Sequence, residues 1–208
     1  MVQAYHTLVA GDSGGGKTTL LREMYDTYPG LSIWIDHSRT GVDGIGAADL
    51  EDAAVVRSGV EARRADATRL QWRCDDPVEA GAQVLQFVRE YHEATGHPSQ
   101  VIVDEAQDQA LPDGDVDNDN PIKWMLHQGR DERIKVVIAS QDPQDLAYTP
   151  LKQCRFWTWV GGWSVFHEGF LRYFSIPTGE LPTNRFQYVT LNKRMDVVDR
   201  GSTKEEYA

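Results

Sequence analysis

Gly11-Asp12-Ser13-Gly14-Gly15-Gly16-Lys17-Thr18 is the stretch whose residue types and spacing most narrowly define a chemistry. Glycines let successive backbone N–H groups turn inward around phosphate oxygens. Lys17 follows at the place from which an ammonium reaches β- and γ-phosphates, and the Thr18 hydroxyl follows it as a ligand for Mg²⁺. The order G-x-x-x-x-G-K-[ST] is that of a phosphate-binding P-loop, so the expected ligand is a nucleoside triphosphate, ATP by default, with Mg²⁺. Its cradle is expected to be Gly11, Asp12, Ser13, Gly14, Gly15, Gly16, Lys17, Thr18 and Thr19.

A second group can complete the reaction. Val101-Ile102-Val103 is an apolar run delivering Asp104 and Glu105 to its carboxyl end, where open α/β sheets bind ligands. Asp104 suits Mg²⁺, mostly through water. Glu105, pointing elsewhere, suits the polarisation of an attacking water. Ile138-Ala139-Ser140 ends in Gln141. If that strand lies between the first strand and the Asp104 strand, Gln141 faces the terminal phosphate and can sense its loss. Gly129-Arg130 precedes the same strand, and Arg130, or Arg133 in its place, is a candidate finger for a neighbouring subunit's nucleotide. The plainer reading of either arginine is a solvated surface residue paired with Asp or Glu.

The elements that must position these groups are legible as alternating strands and helices. Tyr5–Ala10 reads as a strand, Lys17 to about Tyr28 as a helix stopped by Pro29-Gly30, and Leu31–Asp36 as a strand. Ala67–Arg73 reads as a short strand, and Pro77 to about Thr95 as a helix that starts at a favoured proline position and stops at Gly96. Residues 37–66 give no clear pattern. Gln109–Asn120 reads as a polar loop and Pro121–Gly129 as a helix. Lys135–Ser140 and Phe156–Val160 read as apolar strands, Ser164–Phe174 as helix and Arg185–Leu191 as the final strand. Apolar strands alternating with helices predict an α/β domain around a mostly parallel sheet. One domain over residues 1–208 is expected, with a frayed polar tail at 201–208.

Composition narrows the class. Hydrophobic residues make up 40% and charged residues 25%, which excludes a disordered, collagenous or disulfide-framework chain. No apolar run is long enough to span a bilayer, and the amino terminus lacks the pattern of a signal peptide, so an intracellular protein is expected. Cys74 and Cys154 match no metal or redox spacing and read as small hydrophobes. Net charge is −11, with 20 Asp and 12 Glu against 15 Arg and only 6 Lys. A global basic footprint for nucleic acid is absent. Such an Asp-rich, Lys-poor surface suits a salt-rich cytoplasm, where screening removes self-repulsion; acidic drift accounts for it equally well. Two patterns are set aside. Asp113–Asp119 hints at a calcium loop, but Asn118 stands where glycine is required and Trp124 where glutamate is. Trp157, Trp159, Trp163, Phe166, Phe170, Tyr173 and Phe174 follow strand and helix periodicity and are expected in the core rather than as base-stacking platforms.

Taken in order, Gly11–Thr18, Val101–Glu105, Gly129-Arg130 and Ala139-Ser140-Gln141 resemble the signatures of the FtsK–HerA superfamily of DNA-pumping ATPases. Within it, the length resembles the genome-packaging ATPases of tailless icosahedral viruses with an internal membrane, and the acidic composition would suit a haloarchaeal host. The resemblance implies a RecA-like P-loop NTPase core, Mg²⁺, a homo-oligomeric ring (hexamer or pentamer) and double-stranded DNA as track. It also implies viral capsid vertex or portal components as partners, a place in the host cytoplasm or at the virion vertex, and Arg130 as the trans-acting finger. Asp104-Glu105-Ala106-Gln107 also resembles the Zot-type assembly ATPases of filamentous phages. From a different class, a P-loop small-molecule kinase would suit the length, but no arginine-rich lid is visible. A nucleotide switch without turnover would have no use for Glu105. Arg39, Arg63, Arg64, Lys193 and Arg194 are candidate DNA contacts.

Overall fold

Every residue of the strand β5 (Ser99–Val103) is buried, and so is every residue of β1 (Thr7–Ala10) and β2 (Leu31–Asp36). Strands covered on both faces are the signature of a parallel sheet between helical layers. The computed structural model describes residues 5–37, 50, 52–162 and 167–204. Its other strands are β3 (Ala54–Val56), β4 (Arg69–Arg73), β6 (Ile134–Ser140), β7 (Phe156–Val160), β8 (Gln187–Asn192) and β9 (Val197–Ser202). The helices are α1 (Lys17–Thr27), α2 (Gly59–Ala65), α3 (Pro77–Thr95), α4 (Pro121–Gln128), α5 (Tyr148–Leu151) and α6 (Glu168–Tyr173). Among the described residues, nine strands form one sheet in the order β3-β4-β2-β5-β6-β1-β7-β8-β9. The pairs from β3 to β7 are parallel; β8 and β9 close the sheet as an antiparallel hairpin.

This order places β6 between β5 and β1, the arrangement on which the sensor reading of Gln141 depends. Register does the rest. Val103 lies beside Ile138 and Ala10 beside Ser140, so the chain leaves β1, β5 and β6 at one level of the sheet. Local chemistry fixes the elements on either side. Asp76 caps α3 by accepting from the Val78 and Glu79 N–H groups, and Asn120 caps α4 by accepting from those of Ile122 and Lys123. A polar side chain inside β5 also reaches across layers: the Gln100 amide nitrogen donates to the Met24 carbonyl of α1 and to Ser32 Oγ. Such buried partners tie α1, the helix that follows the glycine-rich loop, to the strand carrying Asp104 and Glu105.

Several expectations change. β3 and α2 occupy part of the span that gave no pattern. α2 nevertheless has a sequence signal: Ser58 accepts from Glu61 N–H, while the Glu61 carboxylate reaches back to Arg57 N–H, a variant of the capping box. β8 is not the last strand. Asn192 Oδ1 accepts from the Arg194 and Asp196 N–H groups and turns the chain into β9, an edge strand too exposed to show clean alternation. Gly201 and Ser202, expected in a frayed tail, complete β9, and Thr203 N–H donates to the Phe186 carbonyl at 2.7 Å; residues 205–208 lie outside the described residues. Trp157, Trp159 and Phe170 are buried as expected, but Tyr173 is 57% exposed. Trp163 and Phe166 lie outside the described residues. Cys154 is fully buried, and Cys74 is partly so.

His6 gives the fold a pH dependence. Its Nδ1 accepts from Val136 N–H at 3.0 Å inside the sheet. Burial, aided by the charges of Arg130, His127 and Lys193, lowers its pKa to about 4. Between the ordinary 6.5 and about 4 the unfolded chain takes up a proton that the folded chain refuses, so stability is full above that window and falls as pH drops through it. The expected loss is about 2 kcal/mol by about pH 5. Melting temperatures between pH 7 and 5 should fall for the wild type, and the slope should flatten for His6→Asn, whose amide oxygen keeps an acceptor for Val136.

Candidate functional site

The glycine-rich loop lies between β1 and α1, as its chemistry requires. Gly16 has φ 106° and caps α1 with no side chain, so the first N–H groups of the helix keep their positive end turned outward. The loop is also pressed against the end of β7: a Cβ on Gly161 would lie 2.4 Å from the Gly15 Cα, and Gly161 itself has φ 66°. Only glycine fits there. These are the features of a cradle for phosphate oxygens, and Thr18 and Thr19 stand exposed at its rim.

Opposite the loop, the turn after β5 presents two carboxylates. Lys17 Nζ lies 2.6 Å from Glu105 Oε1 and 3.7 Å from Asp104 Oδ1, with Lys17 itself buried. Gln141 Nε2 donates to Glu105 Oε1 at 2.5 Å, and Gln107 Nε2 donates to Glu105 Oε2 at 2.9 Å. Glu105 is held in the left-handed region at φ 46°, a conformation that costs a non-glycine residue energy and persists where its surroundings impose it. Here they do: Glu105 N–H donates to Asp104 Oδ1, and Ala106 N–H donates to the Ala139 carbonyl of β6. Below Asp104, His37 Nε2 lies 2.7 Å from its carbonyl. A carbonyl can only accept, so that nitrogen carries the proton.

Electrostatics separate the two carboxyl groups. Burial raises the pKa of Asp104, against the opposing pull of Lys17. Burial also pushes Glu105 upward, but the Lys17 charge and the hydrogen bonds from Gln107, Lys17 and Gln141 outweigh it and hold the carboxyl below its ordinary value. Glu105 is therefore ionised at neutral pH, the form a general base requires. The donor set of Thr18 hydroxyl and Asp104 carboxylate, both oxygen ligands, fits Mg²⁺.

Lys17, Asp104, Glu105 and Gln141, far apart in sequence, thus meet at one point. Arg130 does not join them. It is exposed in the turn before β6, and the seven residues of that strand put it roughly 20 Å from Gln141, at about 3.3 Å per residue. Arg133 is committed elsewhere, its guanidinium donating to the Gly96 carbonyl at the end of α3. Of the candidate DNA contacts, Arg63 pairs with Glu90 through two bonds of 2.7 Å, Arg64 is exposed on α2, and Lys193 and Arg194 lie in the β8–β9 turn. Arg39 lies outside the described residues.

A cavity of about 730 Å³ extends from the loop past Glu105 to Asp36, His37 and Gln71, and on its other side to Phe186. These four residues, and Gln107, were not foreseen. Asp36-His37 had a signal: Leu31–Ile35 is an apolar strand ending in polar residues, the same format as Val101–Glu105. Phe186 had none, because only the hairpin brings it to the loop.

The fold and this site define a P-loop NTPase architecture: a mostly parallel sheet flanked by helices, with the glycine-rich loop after β1, an interior strand of that sheet. Among solved structures, the genome packaging NTPase B204 from Sulfolobus turreted icosahedral virus 2, in complex with AMP, superposes with a TM-score of 0.75 at 12% identity. That match covers 97% of this chain and 99% of that one. The same NTPase in complex with ATP-gammaS gives 0.74 at 14% identity, over 97% and 98% of the two chains. The cytoplasmic domain of the Type VII secretion ATPase EccC of Thermomonospora curvata gives 0.55 at 16% identity, over 96% of this chain and 24% of that one. No protein-family model matches the chain, and no curated protein matches it significantly in sequence.

Proposed function

We propose that this chain is an ATP-hydrolysing motor that moves double-stranded viral DNA into a preformed capsid. It works as a homo-oligomeric ring of five or six copies with capsid vertex or portal components, in the host cytoplasm or at the virion vertex. Residues 1–208 act as one ATPase domain. The observation that carries the hydrolytic half is Glu105, an ionised carboxylate held between Lys17 and Gln141 and facing the loop. A bound triphosphate competes with Glu105 for the Lys17 ammonium. As Lys17 turns to the phosphates, Glu105 loses the charge that holds its pKa down and keeps the burial that pushes it up. Its basicity therefore rises when a terminal phosphoryl group is in place to be attacked. Mg²⁺ bound by Thr18 and, through water, by Asp104 would neutralise charge on the β- and γ-oxygens. Gln141, hydrogen-bonded to Glu105, links the occupancy of that position to β6.

The DNA half rests on the resemblance of the motif order to DNA-pumping ATPases and on the likeness, over nearly the whole chain, to a genome packaging NTPase. It is supported by charge: Arg130, Arg155, Lys193 and Arg194 gather at the amino ends of β6 and β7 in a chain of net charge −11. The Asp-rich, Lys-poor composition supports a salt-rich host.

Phosphate release by purified protein, with and without duplex DNA and across a KCl series into the molar range, tests the reading. Turnover should rise with duplex DNA and with KCl and vanish in Lys17→Ala, since Lys17 is the ammonium that pairs with both carboxylates. Normal turnover by Lys17→Ala would overturn the site. A second reading, phosphoryl transfer to a small acceptor, is favoured by the extension of the cavity to Asp36, His37 and Gln71. Turnover that requires an added acceptor and ignores DNA would select it.

A further inference from the structure

The donors that surround the Glu105 carboxylate divide between its two oxygens. Oε1 accepts from Lys17 Nζ at 2.6 Å and from Gln141 Nε2 at 2.5 Å. Oε2 accepts from Gln107 Nε2 at 2.9 Å and, more weakly, from the Gln141 N–H at 3.4 Å. Lys17, Glu105 and Gln141 line the cavity at the glycine-rich loop, whereas Gln107 does not. Oε1 is therefore the oxygen on the cavity side, and Oε2 is held from behind.

Gln107 holds it from a fixed base. Its neighbour Ala106 is fully buried and donates its N–H to the Ala139 carbonyl of β6. The Ala106 carbonyl accepts from Leu111 N–H at 2.8 Å, and the Glu105 carbonyl accepts from Asp108 N–H at 3.1 Å. The turn that carries Gln107 is thus tied on both sides. A carboxylate oxygen only accepts, so the amide nitrogen is the end of Gln107 that faces Glu105. The other end, Gln107 Oε1, is left buried and without a hydrogen-bond partner among the described residues. A buried acceptor without a partner weakens a fold. An apolar side chain of the same length would avoid that cost. Stability therefore does not account for the amide, whereas its bond to Glu105 does.

We propose that Gln107 is the positioning residue for the general base: it anchors Glu105 Oε2, so that Oε1 stays aimed at the attacking water once Lys17 turns to the phosphates. Gln107 touches neither nucleotide nor water and acts only through Glu105. This rests on the hydrolytic reading above.

Single-turnover hydrolysis and equilibrium ATP binding by the full chain test this. Gln107→Met keeps the length of the side chain and removes the donor. Its rate should fall about 10- to 100-fold, the worth of a hydrogen bond to a charged group expressed as a rate. ATP affinity should stay within about twofold of the wild type. The melting temperature should be equal or higher, because the unpartnered oxygen is gone and the Glu105 side chain, 28% exposed, can take water in place of the lost bond. The sharper readout is a double-mutant cycle. In a Glu105→Gln background, Gln107→Met should change the rate by less than about twofold, since the group it acts through has already been removed. A further 10-fold loss in that background, or a rate in Gln107→Met that is undiminished or raised, would overturn the anchor. Gln107→Leu is the second apolar variant; failure of both to fold would show that the bond is structural and overturn the proposal as well. Absence of hydrolysis by the wild type would overturn the hydrolytic reading and this one with it, whereas wild-type hydrolysis that Gln107→Met leaves intact removes the anchor alone.

Discussion

Arg130→Ala should bind ATP and turn it over about 10³–10⁵-fold more slowly than the wild type, the range an inserted arginine contributes where phosphoryl charge otherwise goes uncompensated. The geometry makes the expectation specific. Arg130 is exposed at the amino end of β6, whereas Lys17, Glu105 and Gln141 meet at the carboxyl ends of the strands. Its own site is out of reach, so any contribution must pass to another copy. Arg133 is tied to Gly96, which leaves Arg130 as the arginine to test. Activity should rise steeply with protein concentration. Mixing gives the sharper result: Arg130→Ala and Lys17→Ala are each inactive alone, yet a mixed assembly pairs an intact Lys17 with a neighbour's intact Arg130, and part of the activity should return. No recovery in demonstrably mixed assemblies, or full turnover by a strictly monomeric Arg130→Ala protein, would remove the finger from Arg130 and the ring with it.

Glu105→Gln should lose about 10²–10⁴-fold in turnover, the usual cost of losing a general base, while binding ATP at least as tightly. The amide keeps the size of the carboxylate but takes no proton from water. It also frees Lys17, whose ammonium lies 2.6 Å from Glu105 Oε1, from the nearer of its two carboxylate partners, so the phosphates meet less competition for it. Asp104→Asn should differ by weakening the Mg²⁺-dependent part of binding. Single-turnover hydrolysis and equilibrium binding separate the two outcomes. Turnover within about twofold in both variants would show that the roles are misassigned.

The residues that make chemistry possible were determined by the sequence alone. Gly11–Thr18 and the run Val101–Glu105 are local patterns, since a phosphate cradle and a buried strand each need particular residue types within a few positions. α3 and β2 were legible to the residue for the same reason, one through Pro77 and Gly96, the other through a short apolar run after Pro29-Gly30. What the sequence left open depended on contacts between distant segments. β3 and β9 are edge strands whose pairing, not their own pattern, makes them strands. The partners of Glu105 come from three segments, and its pKa follows from a lysine 88 residues away. Only the position of β6 between β5 and β1 brings Gln141 to that carboxylate and carries Arg130 away from it. Phe186 reaches the phosphate loop through a backbone bond to Gly15 that no local pattern announces. Sequence fixes which groups are available within one turn of chain, whereas distances between groups on different strands exist only after the sheet has chosen its order.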